Sequence, residues 1–321
     1  MTQAATTVAS QKEPRRTRKK NQYRKYAPLL IMMIPGLLYL LINNYLPMAG
    51  IVIAFKKINF AKGIFNSDWT GLDNFTYLFK TTDAFIITRN TILYNVVFIV
   101  IGTILSLACA ILLNEIRQKR LLKGYQAIIT LPHLISMVIV SYLVYALLSA
   151  DTGFINKTVL PWLGIDEGIM WYSEAKYWPF ILTLVHFWKS VGYSSIVFFA
   201  ALLGIDEEYY EAAKLDGASR LKQIWHITLP LLAPVITMLT LLSVGRIFYS
   251  DFGLFYQVPL NSGALFETTA TIDTYVFRGL TGTGDIGMST AAGVYQSIVG
   301  FVLVILANYT VRRVSKDNAL F

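Results

Sequence analysis

A lysine and an arginine lie inside stretches of the sequence that otherwise carry no charged residue. Lys189 interrupts the run from about 177 to 205, and Arg246 interrupts the run from about 227 to 250. If these runs cross a membrane, a cation at mid-depth costs about 2.5–3.5 kcal/mol on insertion scales. Both side chains should therefore face a cavity or a protein interface, where they could hold an anionic group such as a carboxylate.

Each cation shares a predicted helix face with polar and aromatic residues, at spacings of three or four positions from the cation. Aromatic rings in such places could stack on sugar rings. The candidates for a substrate path are therefore His186, Lys189, Tyr193, Arg246, Tyr249 and Tyr142. Two other interpretations stay open. Arg246 could reach the lipid headgroups from the outer end of its helix, and Lys189 could bond backbone carbonyls at a helix break.

Residues that could support covalent or metal chemistry are scattered. The three histidines lie far apart in the sequence, so we expect no metal site, and the single cysteine, Cys109, excludes an intramolecular disulfide. The segment 282–289 resembles a phosphate-binding loop, but Met288 occupies the position where that motif requires lysine. We therefore expect no catalytic residue, no metal and no cofactor bound by this chain.

The elements that must position the candidate residues are long apolar helices. Of the 321 residues, 55% are apolar and 15% are charged, whereas soluble domains carry about 25% charged residues. A helix needs about 20 apolar residues to cross a bilayer. Prolines such as Pro132 should kink or break some of these helices. The sequence predicts an all-α integral membrane protein with six spans, at about 27–55, 92–113, 124–150, 177–205, 227–250 and 286–311.

The distribution of basic residues predicts which ends face the cytoplasm. The two tails and the loops at 114–123 and 204–226 hold 18 Lys and Arg residues, whereas the other three loops hold 8. Because basic loops stay inside, both termini should be cytoplasmic. We expect a disordered basic tail at 1–24 that meets anionic lipid rather than nucleic acid, a membrane domain at 25–316, and a C-terminal tail at 317–321.

The cytoplasmic loop 206–226 is predicted to form two short helices separated by a sharp turn. Asp206 and the two acids that follow it suit a helix start. Asp216-Gly217 supplies the turn, because glycine adopts backbone angles that other residues avoid. A second amphipathic helix is expected at 218–226 and leads into the fifth span. An ordinary connector would show the same pattern, so the physics alone leaves its role open.

Ten residues in and after this loop resemble the EAA loop of binding-protein-dependent ABC importer permeases. They are Glu211, Ala212, Ala213, Asp216, Gly217, Ala218, Ile227, Leu229, Pro230 and Pro234. Trp225 stands where the family often has phenylalanine. Further segments resemble permeases for oligosaccharides and polysaccharides, close to the maltose type, so that the resemblance covers about 27–316. These segments are 35–60, 71–75, 130–136 and 289–313.

The resemblance implies an assembly at the bacterial inner membrane. Its partners would be a second homologous permease, expected to be a different chain, two cytoplasmic ABC ATPases that carry ATP and Mg, and an extracytoplasmic solute-binding protein. The residues that couple transport to the ATPase would be Glu211, Ala212, Ala213, Asp216 and Gly217. In this arrangement the short loop helix docks in a groove of the ATPase.

The expected activity is ATP-driven import of an oligosaccharide. No Asp or Glu within the spans balances Lys189 and Arg246, so an acidic oligosaccharide derived from alginate or pectin is one hypothesis. A neutral oligosaccharide is the other. Two alternatives belong to other functional classes, namely a membrane-embedded enzyme of polysaccharide or lipid-linked sugar metabolism and a self-powered sugar facilitator. The sequence lacks the reactive constellation that the first would need and the intramembrane carboxylates typical of proton-driven carriers.

Overall fold

The structure, a computed structural model, describes residues 16–59, 61–165, 167–283 and 285–314. Within these ranges helices dominate. The strands there form one short antiparallel pair, β1 (Lys56–Lys57) and β2 (Asp68–Trp69), with Lys56 opposite Trp69. The predicted all-α class is therefore confirmed.

Fifteen α-helical segments lie within the described ranges. Those before residue 170 are α1 (Arg16–Leu40), α2 (Leu46–Met48), α3 (Gly63–Asn66), α4 (Asp73–Lys80), α5 (Thr82–Asn114), α6 (Lys119–Leu134), α7 (Met137–Leu148) and α8 (Leu160–Trp162). Those after it are α9 (Trp178–Leu202), α10 (Glu207–Leu215), α11 (Arg220–Gln223), α12 (Leu229–Val244), α13 (Phe266–Thr269), α14 (Ile272–Arg278) and α15 (Ile286–Val314). A π-helical turn, Ile224–Thr228, joins α11 to α12.

Five helical stretches in the described part of the chain are long and apolar enough to cross a membrane. They run over Tyr26–Phe55, Thr82–Asn114, Ala175–Leu202, Arg220–Val244 and Ile286–Arg313. Together α6 and α7 form a sixth stretch, but they are bent by 93° relative to each other. The span expected at 124–150 is thus broken, because α6 stops at Leu134 and α7 restarts at Met137. The Ser136 hydroxyl caps the new helix by accepting a hydrogen bond from the Ile139 N–H at 3.4 Å.

The second long helix begins at Thr82, well before the predicted residue 92. Polar residues in its first part do not need water, because their side chains form hydrogen bonds inside the protein. The Asn90 side-chain amide donates to the carbonyls of Glu267 at 3.0 Å and Ala270 at 2.9 Å. Thr91 accepts a hydrogen bond from the Ile272 N–H at 3.1 Å. These bonds satisfy the polar residues that made the sequence pattern look like a loop.

The fifth long helix begins at Arg220 and ends at Val244, earlier at both ends than the predicted 227–250. The separate helix expected at 218–226 is therefore the first part of this long helix. Gly245 follows the helix end, and the chain then forms a turn. Arg246 and Tyr249 lie in or after that turn, so they do not share a helix face as the sequence pattern suggested.

The chain divides into two compact units at residue 52. In the first unit the described residues, 16–52, are helical, and their side chains from Leu29 to Met48 are exposed. Within the predicted disordered tail 1–24, the described residues from Arg16 onward belong to α1, and lysine and arginine are good helix formers. Residues 1–15 and the predicted C-terminal tail lie outside the described residues.

In the second unit, α5 and α9 pack side by side along their length. At one end of this pair Trp178 and Phe255 belong to a buried cluster that also contains residues of α7. At the other end, which carries α10, Phe198 and Leu232 belong to a second buried cluster. These two clusters hold α5, α9 and α12 in fixed relation, and the candidate site lies among these helices.

Candidate substrate cavity and coupling loop

A cavity of about 640 Å³ lies among α5, α9 and α12. This volume falls within the range of about 300–1,000 Å³ that is typical of small-molecule sites. Its wall includes small polar side chains from these apolar helices, namely Asn95, Thr103, Ser106, Ser190, Ser194 and Ser243. A largely apolar cavity that also carries these polar groups is suited to a solute with hydroxyl groups and an apolar face.

Arg246 lies on the cavity wall, in the turn that follows α12. Its side chain is exposed, and its guanidinium forms no hydrogen bond or ion pair with any described residue. The cavity wall also carries a carboxylate, that of Asp251, which accepts a hydrogen bond from the Leu254 N–H at 3.1 Å. Among the described residues of the wall, Arg246 is the single Lys or Arg. It is therefore a cation available to a solute in the cavity.

His186 and Tyr193 also line the cavity, but each packs against another ring. The His186 imidazole stacks on Phe98 at a centroid distance of 3.7 Å and an interplanar angle of 3°. Tyr193 stacks on His133 at 4.2 Å and 8°. Tyr193 is exposed, whereas His186 is half-buried. The structure thus brings His186, Tyr193, Arg246 and Tyr249 to one cavity.

Lys189 does not join this group. Its ammonium donates hydrogen bonds to the backbone carbonyls of Pro132 at 3.2 Å and His133 at 3.0 Å, and also to that of Ile135. These carbonyls lie at the break between α6 and α7. Lys189 therefore does not lie on the described cavity wall, as one interpretation of the sequence expected. It bonds backbone carbonyls at a helix break, as the other interpretation expected.

Tyr142 also lies away from the described residues that line the cavity. It belongs to α7, which leaves α6 at a bend of 93°. The side chain is 67% exposed, on the surface of this unit. The sequence predicts for Tyr142 only a ring that could stack on a sugar, and the structure does not include this ring in the described cavity wall.

The loop helix α10 forms as its sequence predicts. The Asp206 carboxylate caps it by accepting a hydrogen bond from the Glu208 N–H at 3.1 Å. At the other end Gly217 has a φ of +74°, in the left-handed region that favours glycine. The Ala218 N–H donates to the Ala213 carbonyl at 2.9 Å, which closes the helix end. Glu211, Ala212 and Asp216 are exposed, and Leu215 is 90% exposed.

Two contacts hold α10 and its turn against the fifth long helix, and an ion pair ties that helix to α5. Arg220 and Glu115 form an ion pair at 3.6 Å, which ties the start of the fifth long helix to the end of α5. The hydroxyls of Tyr210 and Thr228 are hydrogen-bonded at 3.0 Å. The Gln223 side-chain amide donates to the Ala218 carbonyl at 3.0 Å. A displacement of α10 would therefore be transmitted to α5 and α12.

Comparison with known families gives an independent observation. Residues 99–316 match the family described as binding-protein-dependent transport system inner membrane component, a range that contains α10 and most of the cavity wall. The chain belongs to this family. The resemblance recognised in the sequence is confirmed, and this permease is a multi-pass bacterial membrane protein that serves transport rather than an enzymatic reaction.

Individual relatives match the permease over most of its length. It is 37% identical to the protein LplB of Bacillus subtilis (strain 168) over 292 residues, which cover 90% of each chain. It is 36% identical to the polygalacturonan/rhamnogalacturonan transport system permease protein YteP of the same organism, over 90% of this chain and 89% of that one. The arabinooligosaccharides permease AraP of Halalkalibacterium halodurans is 29% identical, over 89% of this chain and 88% of the relative.

A solved structure resembles the permease closely. A chain of a bacterial ABC transporter involved in the import of the acidic polysaccharide alginate matches with a TM-score of 0.84 and 31% identity. The match covers 93% of this chain and 99% of that one. The same kind of transporter in complex with an alginate pentasaccharide-bound periplasmic protein matches with a TM-score of 0.83.

Sequence reasoning missed the contribution of α5 to the cavity. Asn95, Gly102 and Ser106 line the wall of this permease and are spaced i, i+7 and i+11, which places them on one helix face. That spacing is visible in the sequence and could have found them. Asp251 was missed for a different reason, because it lies beyond the end of α12 and follows no helical period.

Proposed function

We propose that this permease forms part of the translocation path of an ATP-driven importer for uronate-containing oligosaccharides. The observation that carries the proposal is Arg246, an exposed guanidinium on the cavity wall that pairs with no described carboxylate. A carboxylate of the solute could bind it through two parallel hydrogen bonds, a geometry that suits guanidinium better than ammonium.

Other groups on the wall suit the remainder of a sugar. One face of the Tyr193 ring is covered by His133, and its other face could take the apolar side of a pyranose ring. Ser190, Ser194 and Asn95 offer hydroxyl and amide groups for hydrogen bonds to sugar hydroxyls. The wall therefore combines one cation, one aromatic face and several neutral polar groups.

Relatives support this substrate class. Two of the proteins that resemble the permease belong to transport systems named for polygalacturonan/rhamnogalacturonan and for the acidic polysaccharide alginate. A neutral oligosaccharide is the second candidate. It is favoured by the Asp251 carboxylate, which lies on the same wall as Arg246, and by the resemblance to a permease for arabinooligosaccharides.

The proposal includes the partners that such transport requires. They are a second homologous permease in a heterodimer, two cytoplasmic ABC ATPases that bind ATP and Mg, and an extracytoplasmic solute-binding protein. In this assembly α10, with Glu211, Ala212, Ala213, Asp216 and Gly217, docks on the ATPase. Closure of the ATPase pair would move α10, and its contacts with the fifth long helix, which is itself tied to α5, would open the cavity alternately to each side.

Uptake by the complete complex in proteoliposomes tests the substrate. Uronate and neutral oligosaccharides of equal length are each supplied with a loaded solute-binding protein. We expect Arg246→Gln to reduce uronate uptake about tenfold, the loss typical of a hydrogen bond to a charged group, and to leave neutral uptake unchanged. Lys123→Gln, which removes an exposed cation of α6 away from the described cavity wall, is the control. Equal uptake of both sugars by all variants would support the neutral candidate.

Coupling is tested on the same complex. Gly217→Pro should abolish uptake while the ATPase subunits still hydrolyse ATP, because proline cannot adopt a φ of +74°. Glu211→Lys should act similarly by reversing a charge on the docking helix. Gly164→Pro is the matched control, since Gly164 has a φ of +77° in a loop remote in sequence from α10. Uptake that stays near wild type in both α10 variants would contradict the coupling role.

A further inference from the structure

The helix α6 ends within the apolar part of the chain rather than at its edge. Its 16 residues cover about 24 Å at the rise of an α-helix, which is less than the roughly 30 Å of a bilayer core. The helix α7 leaves at 93°, so the last carbonyls of α6 cannot be satisfied by continuing the helix. An unsatisfied carbonyl is strongly unfavourable in lipid. The break therefore needs a hydrogen-bond donor.

Lys189 supplies this donor from the middle of α9. Its Nζ donates to the carbonyl oxygens of Pro132 at 3.2 Å and His133 at 3.0 Å, and to that of Ile135. An ammonium has three N–H groups, and three carbonyls receive them. The positive charge also suits the carboxyl end of α6, where the helix dipole is negative. Over the described ranges Lys189 pairs with no carboxylate.

Two more residues on the same face of α9 contact α6. A Cβ on Gly192 would lie 1.8 Å from the Ile129 carbonyl oxygen, so this approach of the two backbones requires glycine. Tyr193 stacks on His133, with ring centroids 4.2 Å apart. These contacts, together with the hydrogen bonds of Lys189, define the α6–α9 joint.

We propose that Lys189 is a positioning residue for transport, which holds the broken span at the α6–α9 joint and thereby sets the direction of α7 and the place of Tyr193 on the cavity wall. Lys189 acts through His133, because it binds the His133 carbonyl while the His133 ring supports Tyr193. The contacts at the α6–α9 joint are sufficient to support the geometric role of Lys189. The expected effect of Lys189 on sugar uptake, by contrast, rests on the proposed function.

Loss of the ammonium would leave the carbonyls of His133 and Ile135 to find other partners, whereas that of Pro132 also accepts a hydrogen bond from the Ile135 N–H at 3.3 Å. They could do so if α6 extended into α7, which would change the bend, or if water entered the joint. Either change would move His133 and remove the support of Tyr193. Arginine keeps a positive charge and several N–H donors, whereas methionine keeps only the length of the side chain. These two substitutions therefore separate the hydrogen-bonding role of Lys189 from its packing.

The test measures the bend directly in the complete complex. In a Cys109→Ser background, spin labels are placed on Ile128→Cys in α6 and Leu143→Cys in α7, both exposed positions. We expect a narrow distribution of label distances with Lys189 or with Lys189→Arg. Lys189→Met should shift or broaden this distribution and reduce uptake about tenfold, as expected for lost hydrogen bonds to a charged group. Lys189→Arg should retain most of the uptake.

Arg246→Met is the matched control, because it removes the other cation within the apolar runs. It should leave the label distances unchanged and affect only uronate uptake. An unchanged distance distribution and normal uptake in Lys189→Met would overturn the proposal. If Lys189→Met does not assemble, Lys189→Gln, which keeps one donor group, decides the question by the same two measurements. If Arg246→Met does not reduce uronate uptake, the proposed substrate is contradicted, but the label distances still test the role of Lys189.

Discussion

The two cations inside the apolar runs have the same sequence signature and opposite surroundings. Lys189 is held in the α6–α9 joint, where its ammonium donates to the carbonyls of Pro132, His133 and Ile135. Arg246 lies on the cavity wall and makes no ion pair or hydrogen bond within the described residues. The first cation stabilises the protein, whereas the second is available to a solute.

The difference shows that the cost of a charge in a membrane can be met in two ways. A helix break provides carbonyls that a cation can satisfy, and a polar cavity provides solvent or a charged solute. The joint should therefore respond to changes in packing and hydrogen bonding. The wall at Arg246 should respond to changes in charge, and the following tests separate the two responses.

The largest effect is expected from glycine substitutions that probe packing in the two regions. Gly192→Ala would place a methyl group 1.8 Å from the Ile129 carbonyl oxygen, so the joint must separate at a cost of about 3 kcal/mol or more. Gly300→Ala is the matched change beside the turn that carries Arg246, where the nearest atoms of Phe248 and Tyr249 are 3.8 Å away. We expect Gly192→Ala to prevent recovery of the assembled complex and Gly300→Ala to leave its thermal stability unchanged. Equal stability of the two variants would contradict the comparison.

Charge reversal at the cavity wall should give the next largest effect. Arg246→Glu replaces attraction by repulsion, so uronate uptake should fall about 10–100-fold, the range expected for hydrogen bonds between charged groups. Neutral oligosaccharide uptake and the bend between α6 and α7 should not change. Uptake assays and the label distances measure both outcomes in one preparation. A change in the bend would mean that the two regions are coupled.

A change in ionic strength should affect the two regions differently, with a smaller, severalfold effect on the ratio of uronate to neutral uptake. Raising the salt concentration from 0.1 to 1 M shortens the Debye length from about 10 to about 3 Å. The exposed guanidinium of Arg246 should then attract uronate less, and the ratio of uronate to neutral uptake should fall. Lys189 is held by direct hydrogen bonds to backbone carbonyls rather than by attraction across solvent, so the label distances should stay constant. A constant uptake ratio would argue against a role for Arg246 in substrate binding.

The smallest effect is expected when charge is kept and geometry is changed. Arg246→Lys retains the cation but loses the planar pair of N–H donors that fits a carboxylate, so uronate uptake should fall about two- to threefold. The measurement is the uptake ratio of uronate to neutral oligosaccharide, compared with that of Arg246→Gln. A loss as large as that of Arg246→Gln would show that the fork geometry, rather than the charge, is essential.

The helical class and α10 could be predicted from the sequence because their causes are local. Long uncharged runs can satisfy their backbone only as helices in lipid. The start and end of α10 depend on Asp206 and Gly217, which act on the backbone within a few residues. The observed α10, Glu207–Leu215, agrees with that prediction.

The ends of the long helices could not be predicted in this way. Asn90 looks like a loop residue in the sequence, yet it lies inside α5 because Glu267 and Ala270 supply acceptors from a distant segment. The break near Pro132 is a similar case. The sequence predicts that Pro132 kinks or breaks its helix, but it does not give the size of the bend, which is 93° between Leu134 and Met137.

The sequence by itself determined the apolar runs, the membership of the permease family and the pattern of α10, since each depends on residue types at fixed local spacing. Only the tertiary structure decided that Lys189 binds backbone carbonyls while Arg246 lies on a cavity wall without a partner among the described residues. The physical reason is that the environment of a charge depends on which distant groups reach it. The carbonyls that Lys189 binds lie more than fifty residues earlier in the chain, and no local pattern specifies that encounter.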